Sequence, residues 1–284
     1  MGIAKTSPMD KPIIGSGAYP WLQKYGTSPE ELDNHLPEIF TQLVDAGLNA
    51  WEPFFRAPGG LDLCARIARD HGISIVSTYE NVELHGENPD PAIEAVLRGC
   101  VAAREFGLRV FVCNPVPLQW GKSMPKDDTQ LRRQAKALQK LGAALRAEDI
   151  ALAYHMHTPE LETSARELHH MMLATDPKDV GMCLDSHWIY RGAGNSHVAL
   201  EDIVQLYGQR IVSLHLRQSR NGIWHDTLEE GDIDHAWLGN ALRRHGFEGP
   251  VILELAIEKG TPANRDWTER HRLAFDHVHQ CGIA

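Results

Sequence analysis

Along the chain, short continuous apolar runs alternate with longer stretches in which apolar residues recur every three or four positions. The short runs begin near residues 13, 48, 73, 109, 150, 180, 211 and 251 and are rich in Ile, Leu and Val, as strands covered on both faces are. The longer stretches predict helices over 28–45, 61–71, 91–106, 129–147, 164–174, 200–207, 235–245 and 266–280. Local punctuation agrees with this division. Ser28-Pro29-Glu30-Glu31 supplies an N-cap, a proline at the first helical position and acids in the first turn. Gly47, Gly72, Gly107 and Gly246 each stop a helix shortly before the next strand.

Eight strand-then-helix units in 284 residues predict an α/β fold, a closed (β/α)8 TIM barrel over 13–284 as a single domain. Residues 1–12, polar and with two prolines, are expected to be a flexible lead-in. A doubly wound open sheet would need a glycine-rich nucleotide turn after an early strand. Gly15-Ser16-Gly17-Ala18-Tyr19-Pro20 is too short a match, and its proline stands where the helix should begin.

Composition narrows the function classes. A net charge of −10 and a pI near 5.9 argue against nucleic acid or anionic membranes as partners, and favour small polar substrates. Cys64, Cys100, Cys113, Cys183 and Cys281 are dispersed and odd in number, which reads as reduced core thiols. With no signal-peptide core and no apolar run long enough to cross a bilayer, a cytoplasmic location is expected. The start of the chain satisfies the loose myristoylation pattern, a match short enough to arise by chance.

Candidate chemistry gathers where the strands end. The run at 150–155 closes with His155 and His157, which share one face of a strand, and a bend at Thr158-Pro159 could return Glu160 to the same spot. In a barrel all strand C-termini share one mouth. Glu52, Glu80, Asn114, Asp185, His215 and Glu254 stand at such ends. Asp185, His215 and Glu254 close three successive strands, and together they suit one divalent ion with positions open for substrate oxygens. Taken singly, each carboxylate could be a helix cap or salt-bridge partner, and His215 a structural histidine. Trp51, Trp120, Trp188 and Trp224 also fall at predicted mouth positions, where flat rings suit sugar faces. Arg217, two residues past His215, could hold a substrate carboxylate or hydroxyl. The segment 217–222 lacks a glycine-rich phosphate cradle, which favours unphosphorylated substrates.

Asp185 after a strand, His215 in Ser213-Leu214-His215-Leu216-Arg217, the Glu229-Glu230-Gly231-Asp232-Ile233-Asp234 segment and Glu254 ending the last strand resemble the xylose isomerase-like barrel superfamily of sugar isomerases, epimerases and related enzymes. The resemblance spans about 13–280. It implies one divalent metal, Mn2+ foremost with Mg2+, Co2+ or Zn2+ as alternatives, held by Asp185, His215, Glu254 and a fourth ligand. The epimerases' in-strand glutamate would align near Ala153, which can bind nothing. A branch with a His-x-His-x-x-Glu ending is matched by His155, His157 and Glu160, so Glu160 is the expected fourth ligand, with His155 as its rival. The histidine that often follows the sixth-strand Asp is Trp188 here, with His187 beside it.

By the same resemblance, the expected activity is isomerisation or epimerisation of a sugar or keto-sugar through a metal-stabilised enediolate. Glu254 is the first choice of base and Glu160 the second, with His155 as a further catalytic group. His157, Arg217, Trp188, Glu52 and Asn114 are expected to meet the substrate. Loss of a β-hydroxyl, served by His155 and His157 as general acids, would make the protein a lyase or dehydratase instead. An endonuclease IV-like DNA repair nuclease would share the fold, but the acidic balance and Trp188 count against it. A metal-free binding barrel is the remaining alternative. Pairing of barrels through their helices into homo-oligomers is implied by resemblance alone.

Overall fold

The computed structural model describes residues 12–284. The myristoylation match and all but the last residue of the expected lead-in lie outside the described residues. Eight parallel strands form the barrel: β1 (Ile14–Gly17), β2 (Ala50–Glu52), β3 (Ser77–Val82), β4 (Val110–Pro115), β5 (Ala151–Tyr154), β6 (Val180–Asp185), β7 (Ile211–Leu216) and β10 (Val251–Leu253). Their hydrogen-bonded order is β2-β1-β10-β7-β6-β5-β4-β3. The seam between β2 and β3 is closed by bridges from Ala50 to Ser74 and from Phe54 to Tyr79. The fold is therefore the TIM barrel that the alternation predicts.

Around the sheet run α1 (Tyr19–Tyr25), α2 (Leu36–Asp45), α3 (Asp62–Asp70), α4 (Asp90–Ala103), α5 (Asp128–Ala147), α6 (Thr158–Ala174), α7 (Ser186–Gly192), α8 (His197–Tyr207), α9 (His235–His245) and α10 (Trp267–Gln280). The main apolar core is the layer between strands and helices, including Leu138, Leu141 and Leu145 of α5. Inside the barrel a smaller plug of Val110, Val112, Ala153 and Cys183 forms a floor. A short hairpin, β8 (Ser219–Arg220) with β9 (Ile223–Trp224), folds over the mouth side after β7.

Four local departures have physical causes. The helix expected over 28–45 opens as a 3-10 turn, Glu31–His35, fastened by Ser28 and Glu31 to each other, before α2 starts with Pro37 in its first turn. The third strand begins four residues later than the apolar run at 73. Its ladder with β2 is interrupted at Pro53, which has no N–H, and pairing resumes where Tyr79 N donates to the Pro53 carbonyl. α6 starts at Thr158, not Ser164, and is broken at Glu162, after which Thr163, Ser164 and Ala165 take left-handed φ of 53°, 60° and 55°. α7 was not foreseen, and it exists because Asp185 Oδ1 accepts the Trp188 N–H at 2.8 Å as an N-cap.

Among the described residues no helix is long and apolar enough to cross a membrane. Their five cysteines are free thiols, all buried except the half-buried Cys281.

Candidate active site

The strand C-termini open on a cavity of about 670 Å³ whose wall includes Glu52, Tyr79, His157, Trp188, Arg217 and Glu254. Under it lie the fully buried His155, Asp185 and His215. Strand alternation puts them there: Asp185 faces inward two residues above Cys183, and Asp185 and His215 are register partners between β6 and β7.

One ligand atom each from Asp185, His215 and Glu254 lie within 4.8 Å of one another, and so do those of His155, Cys183 and His215. His155 Nε2 and Asp185 Oδ2 face each other at 3.7 Å, both buried and neither hydrogen-bonded. His215 stands between two acids, with Nε2 2.9 Å from Glu52 Oε1 and Nδ1 3.3 Å from Glu254 Oε1, neither in hydrogen-bonding geometry. Buried polar atoms without partners are costly. Asp185, His215 and Glu254, with His155 facing Asp185, are a donor set that a divalent first-row ion would fit.

The electrostatics reinforce the fit. Burial, with Glu254 nearby, pushes Asp185 up to about 6. Burial drives His155 down to about 3, with His215 adding to the effect, and drives His157 down to about 3 as well. Burial would raise Glu254, but His215 and Arg217 outweigh it and hold the carboxyl below its usual range. Burial would likewise lower His215, yet the acidic groups around it, Cys183, Glu52 and Glu254, raise it well above an ordinary imidazole. A cation among these carboxylates would offset their charge.

The expected fourth ligand is placed elsewhere. Glu160 Oε2 accepts the His157 N–H at 2.7 Å, because Thr158-Pro159 starts α6 at once and leaves Glu160 in its first turn. Its carboxyl sits with Glu167 and Lys126, outside both ligand groups. The same placement removes it as a base on substrate. His155 takes its place among the converging groups. Asn114, expected to meet substrate, is buried and spends its amide on the two histidines: Oδ1 is 2.9 Å from His157 Nδ1 and 3.4 Å from His155 Nδ1. Glu52 touches His215 and also borders the cavity.

Arg217 is a wall residue with a fixed partner. Its Nε donates to the Glu254 carbonyl and one terminal nitrogen to Glu254 Oε2, both at 2.9 Å. Its guanidinium lies 3.9 Å from the Trp224 ring centre and 5.6 Å from that of Trp188. Trp120 stands on the rim, half exposed, 5.4 Å from the His157 ring. Trp51 points away from the mouth and packs edge-on against Phe40. Glu80 also falls outside the wall; alternation along β3 turns Tyr79 and Asn81 to the cavity instead.

Residues that the sequence reading passed over include Cys183 beneath the histidines, Tyr79 edge-on to His155 at 5.3 Å, and Glu162, which lines the cavity and accepts a hydrogen bond from Ser123. Only Cys183 carried a signal, its spacing of two from Asp185. The 229–234 segment is a fastener: Asp232 accepts from Ser219, Asn221 and Gly222, and Asp234 caps α9.

A sequence profile of the xylose isomerase-like TIM barrel matches residues 40–273. The chain belongs to that family. An inosose dehydratase of Clostridium perfringens (strain 13 / Type A) is 26% identical to this xylose isomerase-like barrel over 251 residues, covering 78% of this chain and 82% of that protein. A sugar phosphate isomerase/epimerase from Parabacteroides distasonis ATCC 8503 superposes with a TM-score of 0.73 at 16% identity, covering 100% of this chain and 99% of the other. The D-psicose 3-epimerase of Clostridium cellulolyticum H10 gives 0.73 at 14% identity, over 95% and 99%. At these identities the structural likeness is one of fold.

Proposed function

We propose that this barrel is a metal-dependent enzyme that enolises a small keto-sugar or keto-polyol and then eliminates a β-hydroxyl as water. His155, Asp185, His215 and Glu254 would hold the ion. A divalent ion there supplies Lewis-acid polarisation of the substrate carbonyl. The observation that carries the reading is His157. Its Nδ1 is engaged by Asn114, its other nitrogen has no partner, and its ring borders the cavity.

His157 Nε2 takes the proton from the carbon beside the carbonyl, and the electrons of that C–H bond form the enediolate. As the enediolate collapses, the C–O bond at the β-carbon breaks and the imidazolium returns its proton to the departing oxygen, releasing water. One base serves both steps. Trp188 and Trp224, set edge to face, are apolar parts of the wall beside the substrate, and Arg217 keeps Glu254 ionised. The inosose dehydratase relative is consistent with this chemistry.

Isomerisation or epimerisation is the second reading, favoured by Glu254, which also reaches the cavity wall and could return a proton to carbon. A carboxylate from β5, on the other side, is excluded because that inward position is Ala153. The test is incubation of the Mn2+-loaded protein with inosose-type cyclic ketones and with ketohexoses in D2O. Loss of one water from the substrate, abolished by His157→Gln, is the expected result. Deuterated epimer or isomer with no loss of water would replace the elimination by the second reading.

A further inference from the structure

We infer that Asn114 is a positioning residue that sets the tautomer of both site histidines, turning His155 towards the ion and His157 towards the substrate. The inference rests on the reading of the site just given. It concerns which nitrogen of each ring carries hydrogen, a choice that decides whether the ring can act at all.

Asn114 ends β4 and is fully buried. Its carboxamide could face the rings with either end, and the surroundings decide which. Nδ2 lies 3.2 Å from the carbonyl of Pro115, a group that only accepts, so the amide nitrogen must point there. Oδ1 therefore faces the histidines, and it too only accepts. His157 Nδ1 is 2.9 Å from it and His155 Nδ1 3.4 Å. A carbonyl oxygen has two lone pairs, one for each ring. Each neutral ring accordingly carries its hydrogen on Nδ1 and leaves Nε2 bare.

The consequences differ for the two rings. His155 Nε2 then presents a lone pair to Asp185 Oδ2 across 3.7 Å, two acceptors with no hydrogen between them and no other partner. A cation between them would satisfy both. His157 presents its lone pair where the ring meets the cavity, held between the edges of Trp120 at 5.4 Å and Trp188 at 5.0 Å. With the opposite tautomer His155 would offer the ion an N–H, and the lone pair of His157 would lie on Nδ1, against Asn114 and away from the cavity. One amide on β4 thus governs both metal affinity and proton transfer, a role that second-layer partners of ligating histidines fill elsewhere.

The experiment is nitrogen-detected NMR of the ion-free, uniformly 15N-labelled full chain, with the two rings assigned by His155→Gln and His157→Gln. In the wild type both rings should show Nδ1–H. Asn114→Leu, close in volume but without an acceptor, should move both rings to the Nε2–H form and weaken Mn2+ binding by roughly 10- to 100-fold in calorimetry. Asn114→Asp keeps the acceptor and should keep Nδ1–H on both rings. Wild-type rings in the Nε2–H form, or Asn114→Leu rings unchanged, would overturn the proposal. Should Asn114→Leu fail to fold, a switch of either ring in Asn114→Asp overturns it equally. Because the tautomers are read without ion or substrate, a wild type that shows Nδ1–H yet binds no ion would sink the functional reading and leave this one standing.

Discussion

Glu160→Gln separates two roles for a residue that the sequence places at the metal and the structure places behind it. Glu160 is fully buried, has one oxygen on the His157 N–H and the other without a partner, and lies beside Glu167 and Lys126. Burial first, and the charge of Glu167 second, push its carboxyl from an ordinary 4.5 up to about 8. In the unfolded chain the group ionises near 4.5. Between those two values the folded protein holds a proton that the unfolded chain has lost, so stability falls as pH rises through the window. At 1.36 kcal/mol per pH unit the whole effect is on the order of 5 kcal/mol. Glutamine keeps an acceptor for His157 and cannot ionise. The variant should therefore melt close to wild type at pH 5 and above it at pH 9, by roughly 10 °C at about 2 °C per kcal/mol. Thermal melts from pH 5 to 9, paired with elemental analysis of bound Mn2+, check it. Parallel pH profiles for the two proteins, or loss of the ion from the variant, would refute the placement and return Glu160 to the ligand set.

Lys126 is buried and paired at 2.7 Å with Glu167, so Lys126→Met strands that carboxylate and should cost about 3–5 kcal/mol, read by urea titration. Asp185→Ala removes both the cap of α7 and the oxygen facing His155, and should abolish stoichiometric Mn2+ binding by elemental analysis. Arg217→Met removes two hydrogen bonds to Glu254 and should lower kcat/KM by roughly 10- to 100-fold in the elimination assay, about 1.5–3 kcal/mol for a bond to a charged group. Gly231 packs on the carbonyl of Ser219, where a methyl would overlap it, so Gly231→Ala should cost about 1–3 kcal/mol by loosening the loop over the mouth, read as a lower Tm.

Much of the barrel is legible in the chain because its signal is local and repeated. A buried parallel strand is an apolar run, a helix is a 3.6-residue stripe, and a glycine with φ of 95° at Gly47 or 70° at Gly246 ends the helix where the pattern says. β6 and β7 fall on the same residues in the sequence reading and in the structure. The strand that moves, β3, moves because of Pro53 on a neighbouring strand, which residues 73–82 do not record. α7 is hidden for a related reason. Only Asp185 signals it, and the same side chain has an equally good reading as a site residue. In the structure one oxygen caps and the other faces His155, so the two readings were never alternatives.

The site divides along the same line. Asp185, His215 and Glu254 are legible because a strand end fixes where a side chain points, and the barrel fixes where strand ends meet. Glu160 is not, because one turn beyond a strand the direction is set by how the next helix begins, and here Pro159 begins it at once. Asn114 shows the limit most clearly. Position alone puts it at the mouth beside Glu52, and nothing in its own neighbourhood of sequence says that its amide is already claimed. That follows only from Pro115, which accepts and cannot donate, and from two histidines 41 and 43 residues away. What a buried amide does is decided by the donors and acceptors around it, so its function becomes readable only once hydrogen bonds can be counted.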